Sequence, residues 1–299
     1  MSESGYPPFR LVQPSSGVLL PVVLSSPHSG GHYPAELLAE LGLQPEALRS
    51  LEDGPVDRIA EAACGVGATL IAATFPRAYV DLNRHAAELD PELVEAPHRG
   101  LRMSAKVRAG LGVIPSRLGG RPLYDRRLTA RAVTRRLHQA YRPYHERLAG
   151  LLDDRRRRFG TALLLDCHSM PSAPLGEPAL DVVLGDRFGR AAHPDVASAA
   201  EAILRGHGLR TGRNRPYAGG FITEHYGRPA DGVSALQIEL RRGLFLDEWT
   251  HEPLPGLGGL PELLRDLVAI LAATVASCGP VLSPLMQATD SDTALLAAD

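Results

Sequence analysis

An α/β architecture, with helices layered on a sheet, is what this sequence predicts. Apolar runs of strand length alternate with longer runs of helical period. The clearest run, "GTALLLDCHS", is apolar without alternation from Ala162 to Leu165, the mark of a strand buried on both faces. No internal repeat or low-complexity linker divides the chain. Its 299 residues are read as one domain, with a loose N-terminal segment over 1–14 and a tail over 286–299.

The elements follow in order. "GVLLPVVLSSPH" reads as a strand interrupted at Pro21, because proline donates no ladder hydrogen bond. "PAELLAELG" and "VDRIAEAACGVG" carry helical spacing, and "ATLIAATFP" is a second strand, followed by "AYVDL" as a third. A long basic and amphipathic stretch over 124–159 reads as helix. "GTALLLDCHS" and "ALDVVLGD" are strands, "HPDVASAAEAILRGHG" a helix, and "VSALQIELRR" a further strand. "LPELLRDLVAILAATVAS" predicts a docked C-terminal helix. It is short of a membrane span, since Asp266 opens the apolar stretch and Pro280 ends it.

Composition narrows the function. An apolar share of 44% supports a sizeable core, and a net charge of -2 gives no basic excess for nucleic acid. The arginines of 124–159 share their stretch with Glu146, Asp153 and Asp154 and read as a solvated helix face. Cys64, Cys167 and Cys278 are too few and scattered for a disulfide framework, which fits a reducing, cytoplasmic setting. The N-terminus has no basic segment leading into an apolar one, so no signal peptide or membrane partner is expected.

In open α/β sheets, ligands sit beyond the carboxyl ends of strands. His28 follows "PVVLSSP" and His168 follows "LLLDC", so two imidazoles stand where two apolar strands run out. Such a pair suggests zinc, whose catalytic sites often add a carboxylate as third ligand. Asp53 in "LEDGPVDRIA" is the candidate. Asp57, as ligand or as the brace of a ligand ring, and His32 remain alternatives. "FPRAYVDLNR" collects Arg77, Asp81, Asn83 and Arg84 at the end of an apolar run, where an arginine fork could grip a substrate carboxylate and Asp81 could brace one arginine. Glu239 interrupts the apolar strand "SALQIELRR". It is either a proton-transfer group beside the metal or a partner of Arg241 or Arg242. The glycine-rich "GRNRPYAGGFITEHYGRP" adds Asn214, Arg215 and Tyr217 as ligand contacts and His225 as a further proton-transfer candidate. No glycine-rich phosphate loop follows a strand, so nucleotide binding is not expected.

The motifs "SSPHSG", "DCHSMPS", "NRPYAGGFIT" and "QIELRR", in this order across residues 15–270, resemble the N-formylglutamate amidohydrolase family. The resemblance implies a three-layer mixed-sheet zinc-exopeptidase fold. It also implies a zinc-dependent hydrolase of a small N-acyl acidic amino acid, with N-formyl-L-glutamate as the foremost substrate. It casts His28 and His168 as Zn2+ ligands, Glu239 as the catalytic glutamate, Arg77 as oxyanion stabiliser, and Asn83 and Arg84 as substrate contacts. The chain departs from the H-x-x-E element of zinc exopeptidases, because Gly31 stands at that offset from His28. Asp53 is therefore expected to complete the Zn2+ site. A deacylase or peptidase-like enzyme on the same chemistry, and a metal-free binding protein for an acidic metabolite, are the rival readings. A monomer or small homo-oligomer is expected.

Overall fold

The computed structural model describes residues 6–95, 100–172 and 180–278. The strands are β1 (Phe9–Val12), β2 (Val22–Ser26), β3 (Thr69–Ala73), β4 (Arg117–Leu118), β5 (Arg121–Pro122), β6 (Ala162–Met170), β7 (Val182–Gly185), β8 (Thr211–Arg213) and β9 (Val233–Arg241). The helices are α1 (Ala35–Glu40), α2 (Val56–Glu61), α3 (Ala105–Arg108), α4 (Ala130–Arg136), α5 (Arg142–Phe159), α6 (Pro194–Gly206), α7 (Phe221–Tyr226) and α8 (Leu260–Cys278). Seven strands form one mixed sheet in the order β1-β3-β2-β6-β9-β7-β8, and β4 and β5 form a separate hairpin. β3, β2, β6 and β9 run parallel, so their carboxyl ends share one edge. β1 and β7 run antiparallel to their inner neighbours.

Strand alternation sorts the core into two layers. Val23, Ile71 and Leu164 face the side covered by α1, α4, α5 and α7. Val22, Leu24, Leu70, Leu163, Leu165 and Ile238 face the side covered by α2, α6 and α8. The three-layer mixed sheet is thus the expected one. α8 docks as anticipated, burying Leu264, Leu267, Val268, Leu271 and Val275 at helical spacing. No described helix is long and apolar enough to cross a membrane. The three cysteines are free.

Three sequence expectations need correction. "AYVDL" is not a strand: the Tyr79 N–H donates to the Pro76 carbonyl, closing a turn, and the Asp81 N–H donates to the Val113 carbonyl. The segment expected to be loose over 1–14 contributes β1, in which Phe9 and Leu11 pair with Ala73 and Ile71. The helix expected over 124–159 begins at Ala130, where the Thr129 hydroxyl caps the Ala132 N–H, and a π-type turn over Leu137–Tyr141 joins it to α5. Pro143 has no N–H to offer in the first turn of α5, so the backbone widens just ahead of it. The tail expected over 286–299 lies outside the described residues.

Candidate active site

β2 ends at Ser26, and His28 occupies the turn that follows. That turn lies hard against the chain leaving β3: a Cβ on Gly30 would stand 2.1 Å from the Phe75 carbonyl oxygen, so only glycine fits. The Asp53 N–H donates to the His28 carbonyl at 3.1 Å, tying the loop before α2 to the same turn. His168 stands near the end of β6. The β6–β9 register places it opposite Glu239, and the β2–β6 register places Ser25 opposite Asp166. Alternation turns His168, Asp166, Gln237 and Glu239 toward the face covered by α5 and α7.

These placements converge. Asp53 Oδ2 lies 2.9 Å from His168 Nδ1 and 3.4 Å from His28 Nδ1, and the two ring centroids are 4.8 Å apart. The far nitrogen of each ring meets a buried carboxylate. His28 Nε2 lies 2.8 Å from Asp81 Oδ1, and His168 Nε2 lies 3.0 Å from Asp166 Oδ2. The Asp166 contact is a close charge pair without hydrogen-bond geometry, since that oxygen lacks a hydrogen-bonded partner. Asp166 Oδ1 accepts from the Ser25 hydroxyl.

Burial alone would raise the Asp53 carboxyl, but hydrogen bonds from His168 and His28 and their charges hold it far below the usual range. Asp81 is likewise held low against burial by Arg77 and His28. His168 is drawn well above its usual value: burial opposes its charge, while Asp166 and Asp53 favour it. The cluster is therefore a field built to hold positive charge.

A cation fits that field and those donors. Three ligand atoms about 2.0–2.1 Å from a tetrahedral ion stand roughly 3.3–3.5 Å from one another. Asp53 Oδ2 stands 2.9 and 3.4 Å from the two Nδ1 atoms, close to this spacing, and one donor atom from each of the three buried residues lies within 4.8 Å of the others. The Asp81 carboxylate bonded behind the His28 ring matches the way ligating imidazoles are oriented.

The group opens into a cavity of about 370 Å³. Arg77, Asn83, Arg84, Tyr217 and Glu239, all candidates from the sequence, line it. Arg77 Nε donates to Asp81 Oδ2 at 2.8 Å, the bracing anticipated for Asp81. Burial pushes the Glu239 carboxyl up to about 7, with His168 opposing. Gln237 donates to Glu239 Oε1 at 2.7 Å and itself accepts from the Gly220 N–H, so the glycine turn fixes the carboxyl's orientation. Neither Arg241 nor Arg242 pairs with Glu239. Arg241 meets Asp181, and Arg242 donates to the Ser169 hydroxyl and the Glu52 carbonyl.

Other expectations are corrected. Asn214 does not face the cavity: its amide donates to Asp186 Oδ1 and accepts from the Asp186 and Phe188 N–H groups, holding a turn. Arg215 is exposed and does not line the cavity. Asn83 lines it with its amide already engaged. Its Oδ1 accepts from the Ile222 N–H and its Nδ2 lies 3.1 Å from His168 Nε2, so it braces a ring rather than reaching outward. Asp57 pairs with Arg10 at 3.0 Å, and His32 stacks on Tyr6, both away from the cluster. His225 stacks on Phe221 and lines a separate small cavity with Asp153. Two further cations line the larger cavity: Lys106, which sequence reasoning missed, and Arg242, which it considered only as a partner for Glu239. Arg242 lies three residues beyond Glu239, within the same motif "IELRR", whereas Lys106 carries no motif.

Comparison with known proteins gives the same direction. A family model for N-formylglutamate amidohydrolase matches residues 20–246. An N-formylglutamate deformylase of Pseudomonas aeruginosa is 31% identical over 267 residues, which covers 87% of this chain and 94% of that protein. One from Pseudomonas putida is 34% identical over 242 residues, covering 77% and 83%. The crystal structure of N-formylglutamate amidohydrolase from Ralstonia eutropha superposes with a TM-score of 0.86 at 40% identity, covering 91% of this chain and 99% of that one.

Proposed function

The chain belongs to the N-formylglutamate amidohydrolase family, and from that premise we propose that it hydrolyses the amide of a small N-acyl acidic amino acid. The substrate is N-formyl-L-glutamate, and the products are formate and L-glutamate. His28, Asp53 and His168 hold a divalent cation, and zinc suits this imidazole–carboxylate donor set. The observation that carries the reading is the Asp53 carboxylate set between two inward Nδ1 atoms, with Glu239 in register beside His168.

When bound, the cation acts as a Lewis acid and makes the attacking water more acidic. The chain's own groups handle the protons and charges. Glu239, with a carboxyl near 7, accepts a proton from that water at neutral pH and can return it. As the carbon–oxygen bond forms and the carbon–nitrogen bond breaks, Glu239 gives this proton to the departing nitrogen. Arg77 is anchored at Nε by Asp81, and its other nitrogens stabilise the negative oxygen of the transition state. Arg84 meets a substrate carboxylate, Tyr217 closes the cavity wall, and Asn83 keeps His168 in place.

The test is release of free amine and formate from N-formyl-L-glutamate, with and without chelator. Turnover that a chelator abolishes and added zinc restores supports the reading. Absence of turnover by the metal-loaded protein on N-formyl-L-glutamate overturns it.

A further inference from the structure

Four cationic side chains line the cavity, and three already have anchors. Arg77 Nε donates to Asp81, and Arg84 Nε donates to the Leu111 carbonyl at 3.0 Å. Arg242 reaches the Ser169 hydroxyl and the carbonyls of Ser50 and Glu52. The Lys106 ammonium has neither a hydrogen bond nor an ion pair among the described residues, and it borders the same cavity.

Its backbone is nevertheless fixed. Lys106 sits on α3, where the Ser104 hydroxyl caps the Val107 N–H and the Val107 side chain is buried. The Leu111 N–H donates to the Lys106 carbonyl at 2.8 Å, while the Leu111 carbonyl receives Arg84 Nε. One short segment therefore holds Arg84 and Lys106 on the same wall. Burial, then Arg84 and Arg77, depress the ammonium's pKa against the weaker pull of Asp81 and Glu239, so it is a charge without a direct ion pair beside two like charges. An anion entering between Arg84 and Lys106 would relieve that repulsion.

We propose that Lys106 receives the side-chain carboxylate of the substrate and is the residue by which the site prefers an acidic N-acyl amino acid to its neutral amide counterpart. This rests on the hydrolase reading above, with Arg84 left to the α-carboxylate. An ammonium on a flexible four-carbon stem suits a distal carboxylate, whereas the anchored arginine suits a group that must be held still near the reacting carbon.

The discriminating pair is N-formyl-L-glutamate and N-formyl-L-glutamine, equal in shape and different in charge. Lys106→Gln should lower the ratio of their kcat/KM values by about tenfold or more, the scale of one lost charge-assisted hydrogen bond. Lys106→Arg should keep most of that ratio, and circular dichroism should show both variants folded, since this side chain supports no packing. Calorimetric binding of L-glutamate and L-glutamine supplies a readout that needs no turnover, and the glutamate preference should shrink in Lys106→Gln. A ratio and a binding preference both unchanged in Lys106→Gln overturn the proposal while leaving the hydrolase reading intact. A protein that hydrolyses neither amide, yet loses its glutamate preference with Lys106→Gln, overturns the hydrolase reading and retains the anion site. Equal binding of glutamate and glutamine by the unaltered protein overturns the proposal outright.

Discussion

Replacing Asp81 by Asn separates a brace from a ligand. Asp81 is fully buried and serves two sides. Oδ1 meets His28 Nε2 at 2.8 Å and accepts from the Asn83 N–H at 2.9 Å, while Oδ2 accepts from Arg77 Nε at 2.8 Å. The amide keeps one acceptor oxygen, so its NH2 group must confront either the His28 N–H or the Arg77 N–H. It also removes the charge that opposes a part-buried guanidinium. Loss of such a brace behind a ligating imidazole lowers metal affinity by about 10–100-fold, or roughly 1.4–2.7 kcal/mol. The donor mismatch costs a further 1–3 kcal/mol or so of folding stability. Competition against a chromogenic chelator measures the first, and urea unfolding of the metal-free protein measures the second. Metal affinity within twofold of the unaltered protein, alongside a lowered stability, would refute the bracing role and leave Asp81 a structural ion-pair partner only.

Other consequences follow from the same geometry. Glu239→Gln should leave the metal content unchanged and lower kcat by about 10²–10⁴-fold, and retained turnover in a steady-state assay would exclude proton transfer by this group. His145 lies between the Tyr226 hydroxyl and the Leu82 carbonyl, and burial pushes its pKa down to about 4. The unfolded chain thus takes up this proton first. Its contribution is full above pH 6.5 and is lost as pH falls from there to about 4, by about 3 kcal/mol. Urea unfolding across that window should show a slope that flattens in His145→Gln. Gly30→Ala drives a Cβ into the Phe75 carbonyl and should cost about 2–4 kcal/mol. Gly31→Ala enters open space and should stay within about 0.5 kcal/mol. Equal thermal melts for these two variants would contradict the packing of the His28 turn.

Much of the scaffold was legible because burial leaves a plain record. β2, β6 and β9 are apolar runs that end at polar groups, and parallel pairing makes those ends coincide. His28, His168 and Glu239 could therefore be brought together from three distant segments, and Asp53 was added from the loop before α2 because Gly31 left the carboxylate position after His28 empty. Peripheral elements left weaker records. β1 is an edge strand of four residues, half-buried throughout, and composition does not distinguish it from a loop. "AYVDL" has the residues of a strand, but Asp81 is called into a turn by its partners His28, Arg77 and Asn83. Asn214 and Arg215 misled because a polar, glycine-rich loop suits both ligand contact and turn-making. Only the Asp186 bonds of Asn214 decide between them. Lys106 was invisible because nothing local marks it: α3 spans four residues, and its relation to Arg84 runs through the Leu111 backbone.

The central claim is that His28, Asp53 and His168 hold one cation on which turnover depends. Its most direct test is a titration of chelator-treated protein with zinc, following bound metal and N-formyl-L-glutamate hydrolysis together. The account predicts that activity rises from zero in step with occupancy and levels off at about one ion per chain, and that Asp53→Asn abolishes the tight binding. Full hydrolysis by the metal-free protein, or tight binding that survives Asp53→Asn, would contradict it.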